Sequence, residues 1–346
     1  MSKFSFVKWV IASVLCVSPL VFGSSAGGNI GIGSEFISGM ASMDLYDDSR
    51  QRPVKVTLWY PKQSETECVS RSGSDICLSS EAKKDQVFIL SPGMMGSALE
   101  YQWIGTALSS LGFVVVGVSH YSESWIYGRE SINPKEAMKI WNRPLDVSFV
   151  IDQFQSGDAL LVAGINWDNV TAIGHSAGGY TGLALAGAKL LKGGIFDYCQ
   201  SDKSESDKSC NYINGLTAPP ESSGAGGDFS DERVKRLILL DPALGPGISP
   251  RSIKSISLPV LIFGSEDNDF FLYRYYAPFY SKNIRGSKLI NLNDGEGHFV
   301  YLNECDNKIV KQGIPLCRDR EGVDRGVVHN KIIQEIFSYI FGGSGG

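Results

Sequence analysis

Val170-Thr171-Ala172-Ile173-Gly174-His175-Ser176-Ala177-Gly178-Gly179 joins a short apolar run to a segment of small residues. The run suits a strand buried on both faces, and residues 177–191 are patterned for a helix. Gly174 and Gly178 flank Ser176. A Gly-x-Ser-x-Gly string at a strand-to-helix turn holds its serine on a sharp bend, with the hydroxyl exposed at the carboxyl edge of a sheet. A side chain at either glycine would crowd that bend. The helix start adds a positive dipole where negative charge develops. The string alone also fits a plain Gly/Ser turn; the strand before it and the helix after it favour a nucleophile.

Working outward, apolar runs at 87–90, 113–118, 237–240 and 260–263 alternate with helical patterns at 99–111 and 144–154. Such alternation predicts an α/β fold with a parallel sheet covered by helices. Upstream, residues 36–61 read as an antiparallel hairpin, because Val54, Val56, Leu58 and Tyr60 alternate with Lys55, Thr57 and Trp59 until Pro61. Residues 62–84 read as a surface loop, 197–232 as a polar insertion, and 327–341 as a final helix with Ile332, Ile333, Ile336 and Ile340 on one face. One domain over 26–346 is expected.

A nucleophilic serine needs a base and an acid. Of four histidines, His298 follows the strand at 288–292 in Gly295-Glu296-Gly297-His298-Phe299, a loop suited to a general base. His175 lies inside the bend, where its ring is expected to pack on the sheet. His120 ends the strand at 113–118, and His329 lies in the last helix. Asp241, Asp269 and Asp267 all end or follow strands and precede His298, so the order Ser, Asp, His fits each of them. Asp241 is favoured, with Asp269 the alternative acid and Asp267 third. For an oxyanion hole, the Ala177 N–H is one donor. The other is expected from Ser91-Pro92-Gly93-Met94-Met95-Gly96, where Gly93 permits close approach and Met94 donates.

These segments resemble the α/β-hydrolases over about residues 35–341. Among them the chain is similar to bacterial dienelactone-hydrolase-like esterases related to plasma-type platelet-activating-factor acetylhydrolase and to cutinases. The likeness rests on Ser91-Pro92-Gly93, Val116-Gly117-Val118-Ser119-His120, Arg143-Pro144-Leu145-Asp146-Val147, the Ser176 bend, Leu240-Asp241-Pro242-Ala243 and Gly297-His298-Phe299. It implies an α/β-hydrolase fold: a mostly parallel central sheet, an N-terminal antiparallel hairpin and helices on both faces. The acetylhydrolases place the acid where Asp241 stands; the cutinases place it one strand later, at Asp269 or Asp267. Dienelactone hydrolases use cysteine where this chain has Ser176, so the likeness carries the fold and not that substrate.

The chain has 346 residues, 43% of them apolar, and a net charge of -5. An acidic balance gives no reason to expect nucleic acid, which demands a basic face. Lys3 and Lys8, the apolar stretch 9–22 and the small residues 23–26 have the order of a secretory leader, assigned to 1–25. The stretch falls short of the ~20 residues that span a bilayer, so no stable membrane span is expected after cleavage. Cys16 lies in the leader. The remaining cysteines form three close pairs, expected as Cys68–Cys77, Cys199–Cys210 and Cys305–Cys317, which fits a periplasmic or secreted protein. No Cys-x-x-Cys spacing, phosphate loop or dinucleotide fingerprint occurs, so neither cofactor nor metal is expected.

Two aromatic segments could wall a substrate site: Tyr121, Trp125, Tyr127 and Trp141, and Phe270, Phe271, Tyr273, Tyr275, Tyr276 and Phe279. Helix packing would account for them equally well. The expected activity is hydrolysis of a small-molecule or lipid carboxylic ester by a Ser-His-Asp triad through an acyl-enzyme. Phospholipase/acetylhydrolase or cutinase-like polyesterase activity is the alternative, and a non-catalytic binding protein on this scaffold the rival.

Overall fold

Six parallel strands, β5 (Val87–Ser91), β6 (Val114–Ser119), β7 (Val170–His175), β8 (Val234–Leu240), β9 (Val260–Ser265) and β10 (Lys288–Leu292), form the centre of an eight-stranded sheet in this computed structural model. The antiparallel hairpin β1 (Ile37–Asp47) and β2 (Arg52–Lys62) completes it, in the order β1-β2-β6-β5-β7-β8-β9-β10. The structure describes residues 35–63, 68–71, 74–157, 164–214, 224–304 and 316–342. The leader assigned to 1–25 and Cys305 of the third expected disulfide lie outside the described residues. Residues 32–346 form one compact unit.

Helices α1 (Gln102–Ser110), α2 (Pro134–Ala137), α3 (Asn142–Gln155), α4 (Ala177–Leu185), α5 (Gly194–Cys199), α6 (Pro250–Lys254), α7 (Ala277–Asn283) and α8 (Arg325–Phe341) surround the sheet. The strands alternate their cargo between two faces, as a period of two requires. Val87, Ile89, Val116, Ala172, Leu237 and Ile262 join one core with Val147 and Val150 of α3 and Leu183 and Ala184 of α4. On β5 the intervening Phe88 packs edge-on against Phe113, whose ring stacks on Phe341 of α8. Burial on both faces explains why these runs are continuously apolar.

The hairpin departs from its expected half-wet form. Thr57 and Trp59 of β2 are as buried as Val56 and Leu58, because α1 packs on the face that carries Trp59. Gly105 and Gly117 make room for the Trp59 indole; a Cβ at either would lie within 3.0 Å of that ring. Residues 62–84 are also not a plain loop. They carry a short ladder, β3 (Val69–Arg71) with β4 (Ser74–Ile76), closed by Cys68–Cys77, and Ile76 is buried. Helix α4 ends at Leu185 rather than 191, because Gly187 turns the chain at φ +93° and Leu190 then bridges to Ile248. The polar insertion contains α5 and the disulfide Cys199–Cys210. Each disulfide closes a short loop, worth about 2–4 kcal/mol.

Candidate active site

Ser176 sits between β7 and α4 at φ 54° and ψ -117°, a conformation that L residues rarely adopt. Its neighbours make the bend possible. A Cβ on Gly174 would lie 2.0 Å from the Gly178 carbonyl oxygen, and one on Gly178 would lie 1.9 Å from the Ser91 carbonyl oxygen. The bend is tied to the next strand: Ser176 N–H donates to Leu240 O at 3.0 Å, and Ala243 N–H donates to Ser176 O at 2.9 Å. Those two bonds bracket Asp241, which ends β8 at φ 45°.

The Asp241 carboxylate reaches the His298 loop. Its Oδ2 lies 2.5 Å from His298 Nδ1 and accepts from Asn268 Nδ2 at 2.6 Å. The other candidate acids serve the backbone. Asp269 Oδ1 accepts from the His298 N–H at 2.8 Å, and Asp267 Oδ2 from the Gly295 N–H at 3.2 Å. Gly297 lets Asp269 come close, since a Cβ there would lie 2.7 Å from Asp269 Oδ1. Behind the loop, Tyr301 O accepts from Trp103 Nε1 at 2.9 Å, and Val300 O pairs with His329 Nε2 at 2.8 Å. Trp103 and His329 stack at 4.0 Å. The His298 loop is thus pinned by α1 and α8. His329, expected only as a residue of the last helix, is part of that clamp.

Burial holds the His298 imidazole well below its ordinary range, so it is neutral at rest. Burial also raises Asp241, to about 7, against the lowering pull of the Asn268 amide. Phe270 stacks on the His298 ring at 5.1 Å and Phe271 lies at 4.3 Å, so the second aromatic segment is what removes the imidazole from water. The disulfide-bearing segment is fastened to that wall: Lys208 N–H donates to Phe270 O at 2.9 Å, and Tyr276 Oη donates to Asp207 Oδ2 at 2.8 Å.

Gly93 brings the β5 loop against the bend, where a Cβ would lie 3.5 Å from Ser176 Cβ. Among the described residues the N–H groups of Met94 and Ala177 have no hydrogen-bond acceptor. The loop is held by a polar thread that the sequence did not reveal. Gly93 N–H donates to Tyr101 Oη at 3.0 Å, Tyr101 Oη donates to His175 Nδ1 at 2.7 Å, and His175 Nε2 donates to His298 O at 2.9 Å. His175 therefore does more than pack on the sheet: it links the loop after β5 to the loop that carries His298. Burial lowers its pKa to about 3, so it stays neutral in that role.

A continuous Ser-His-Asp hydrogen-bond chain is formed by other residues. Ser91 Oγ is 2.9 Å from His120 Nε2, and His120 Nδ1 is 2.9 Å from Asp146 Oδ2. Asp146 also accepts from Arg52 Nε at 2.7 Å and Arg50 Nη1 at 2.8 Å. Burial pushes Asp146 up, but bonds from His120 and Arg52 outweigh it and hold it at about 2. Arg143 reaches Ser91 Oγ at 3.3 Å, bonds the Pro92 carbonyl and pairs with Glu123. Ser91 closes a regular strand and is 4% exposed.

An apolar cavity of about 90 Å³ opens beside the bend, lined by Met94, Ile140, Trp141, Leu190, Ile195 and Leu244 among others. Of the first aromatic segment only Trp141 lines it. Tyr121 and Tyr127 instead stack edge-on and cover the Arg52 and Lys55 cations. No group of three or more His, Cys, Asp or Glu suited to a metal occurs among the described residues, and no helix there is long and apolar enough to cross a membrane.

A ferulic acid esterase from Streptomyces cinnamoneus superposes with a TM-score of 0.56 over 91% of this chain and 92% of its own, at 18% identity. No protein-family model matches the chain, and no curated sequence does. At this identity the likeness bears on the fold alone. With the mostly parallel eight-stranded sheet, the antiparallel hairpin and the surrounding helices, it gives the chain the α/β-hydrolase fold.

Proposed function

We propose that the chain is an exported serine hydrolase of carboxylic esters, with Ser176 as nucleophile, His298 as general base and Asp241 as the orienting acid. The observation that carries the reading is the strained Ser176 bend, hydrogen-bonded on either side of Asp241, whose carboxylate in turn pairs with His298. Ser176 Oγ attacks the ester carbonyl and its proton passes to His298 Nε2, while Asp241 holds the Nδ1 proton and stabilises the imidazolium. The carbonyl oxygen takes the negative charge and is received by the Met94 and Ala177 N–H groups, each donor worth about 100–1,000-fold in rate. The C–O bond to the alcohol then breaks, and His298 returns its proton to the leaving oxygen. Water repeats the sequence: it adds to the acyl carbon, gives its proton to His298, and the Ser176–acyl bond breaks with return of that proton to Ser176.

Ser91 is a poor rival for the nucleophile. Its hydroxyl lies beside the Arg143 guanidinium, off any strained turn and away from a helix start. Export is supported by the two disulfides and the leader-like N-terminus. The reading is tested by a fluorophosphonate probe, expected to label Ser176 and no other residue. Ser176→Ala should abolish both labelling and hydrolysis of p-nitrophenyl acetate; undiminished turnover in that variant would refute the assignment. Oxidised phospholipid, polyester film and ferulate esters, assayed beside short-chain esters, separate the substrate classes. The esterase named in the comparison makes ferulate esters a reasonable member of that panel.

A further inference from the structure

We infer that the apolar cavity beside Met94 is the acyl-binding pocket and that it selects short saturated acyl groups of about four carbons; the inference rests on the serine-esterase reading. Position comes first. Met94 and Leu244 line the cavity, and each directly follows a residue that touches Ser176. Gly93 lies against the Ser176 side chain, and Ala243 N–H binds the Ser176 carbonyl. Met94, whose N–H is assigned to the carbonyl oxygen, is thus shared between the cavity wall and the reacting ester.

The part of the ester that the cavity takes follows from proton transfer. The leaving oxygen must take its proton from His298, so the alcohol lies on the side of that imidazole. The side chains packed on the ring are Phe270, Phe271, Phe299 and His175, and none of them lines the cavity. The cavity wall is thus separate from the groups that meet the alcohol, and the acyl chain is assigned to it. The aromatic wall of Phe270 and Phe271 is left to the alcohol.

Chemistry and size set the class. The lining is almost wholly apolar and carries no charged side chain, so it suits a hydrocarbon chain and gives a polar or charged acyl group no partner. A dry apolar cavity of ~150 Å³ holds benzene, with its six carbons. This one, at about 90 Å³, is three-fifths of that size and takes about four carbons. A longer chain, or a rigid hydroxycinnamoyl group, exceeds that volume and must extend out of the cavity.

The test measures kcat/KM for p-nitrophenyl acetate, butyrate, octanoate and a hydroxycinnamate, with fluorophosphonate labelling of every variant. Butyrate is expected to exceed octanoate and the hydroxycinnamate by tenfold or more, the scale on which a hydrophobic pocket discriminates. Ile195→Trp, which fills the cavity, should cut butyrate turnover about tenfold relative to acetate. Trp141→Ala, which enlarges it, should raise octanoate relative to butyrate about tenfold. A protein labelled at Ser176 and active on acetate, yet indifferent to chain length and to Ile195→Trp, overturns the pocket assignment and leaves the esterase reading standing. A wild-type protein that the probe does not label overturns both.

Discussion

Asp269 holds His298 by its backbone, Oδ1 accepting from the amide at 2.8 Å, and leaves the ring to another carboxylate. Three acids that sequence order treats as equals thereby acquire different tasks. Asp241→Asn should lower kcat by about 10⁴-fold, because the imidazole loses the partner that fixes its tautomer. Asp269→Asn still offers an oxygen to the His298 N–H and should cost no more than about tenfold. Steady-state kinetics of the two variants decide it; equal losses would remove the distinction.

The Ser91-His120-Asp146 chain is expected to act on stability. Asp146→Asn leaves the Arg52 guanidinium without its anion in a buried site, a loss of about 3–5 kcal/mol. Urea denaturation of the variant measures this directly. A cost under about 1 kcal/mol would show that the network contributes little.

The two glycine requirements separate by cause. Gly178→Ala drives a methyl group into the Ser91 carbonyl, with its Cβ 1.9 Å from that oxygen, and is expected to prevent accumulation of folded protein. Gly187→Ala meets nothing within 4 Å and suffers only its φ of +93°, costing about 1–2 kcal/mol. Soluble yield and thermal midpoints of the pair compare steric clash with backbone strain.

Acid should destabilise the fold well above the carboxylate range. Burial lowers His120 and His175 to about 3 and His329 to about 4, whereas the same residues in the unfolded chain titrate near ~6.5. Between those values the unfolded chain holds the extra protons. Stability is therefore full above ~6.5 and falls as pH drops towards the folded values, by up to about 1.4 kcal/mol per pH unit for each histidine. Unfolding free energies from pH 7.5 to pH 5 give the slope, and His329→Gln should make it shallower. An unchanged slope would mean that His329 titrates normally in the folded protein.

The sheet was legible because burial on both faces writes continuous apolar runs, and the bend because Gly174 and Gly178 have a steric reason visible in the string itself. Where the reading fell short, the missing information was non-local. Trp59 looks like the wet side of a hairpin until Gly105 and Gly117, far along the chain, open space for it. His175 looks like packing until Tyr101 and the His298 carbonyl arrive from other loops. The triad order allowed three acids, because side-chain direction after a strand depends on backbone angles such as the φ of 45° at Asp241. The 62–84 ladder escaped notice because three-residue strands leave too little periodicity to detect.

Ser91, His120 and Asp146 carry a lesson for anyone who mines folds with distance templates. Such a template, matched on hydroxyl, imidazole and carboxylate separations, returns this trio readily, since both of its links measure 2.9 Å. What it omits is whether an electrophile could ever arrive. The torsion of the serine is what separates the two hydroxyls: Ser176 sits at φ 54° on a bend, whereas Ser91 closes a regular strand.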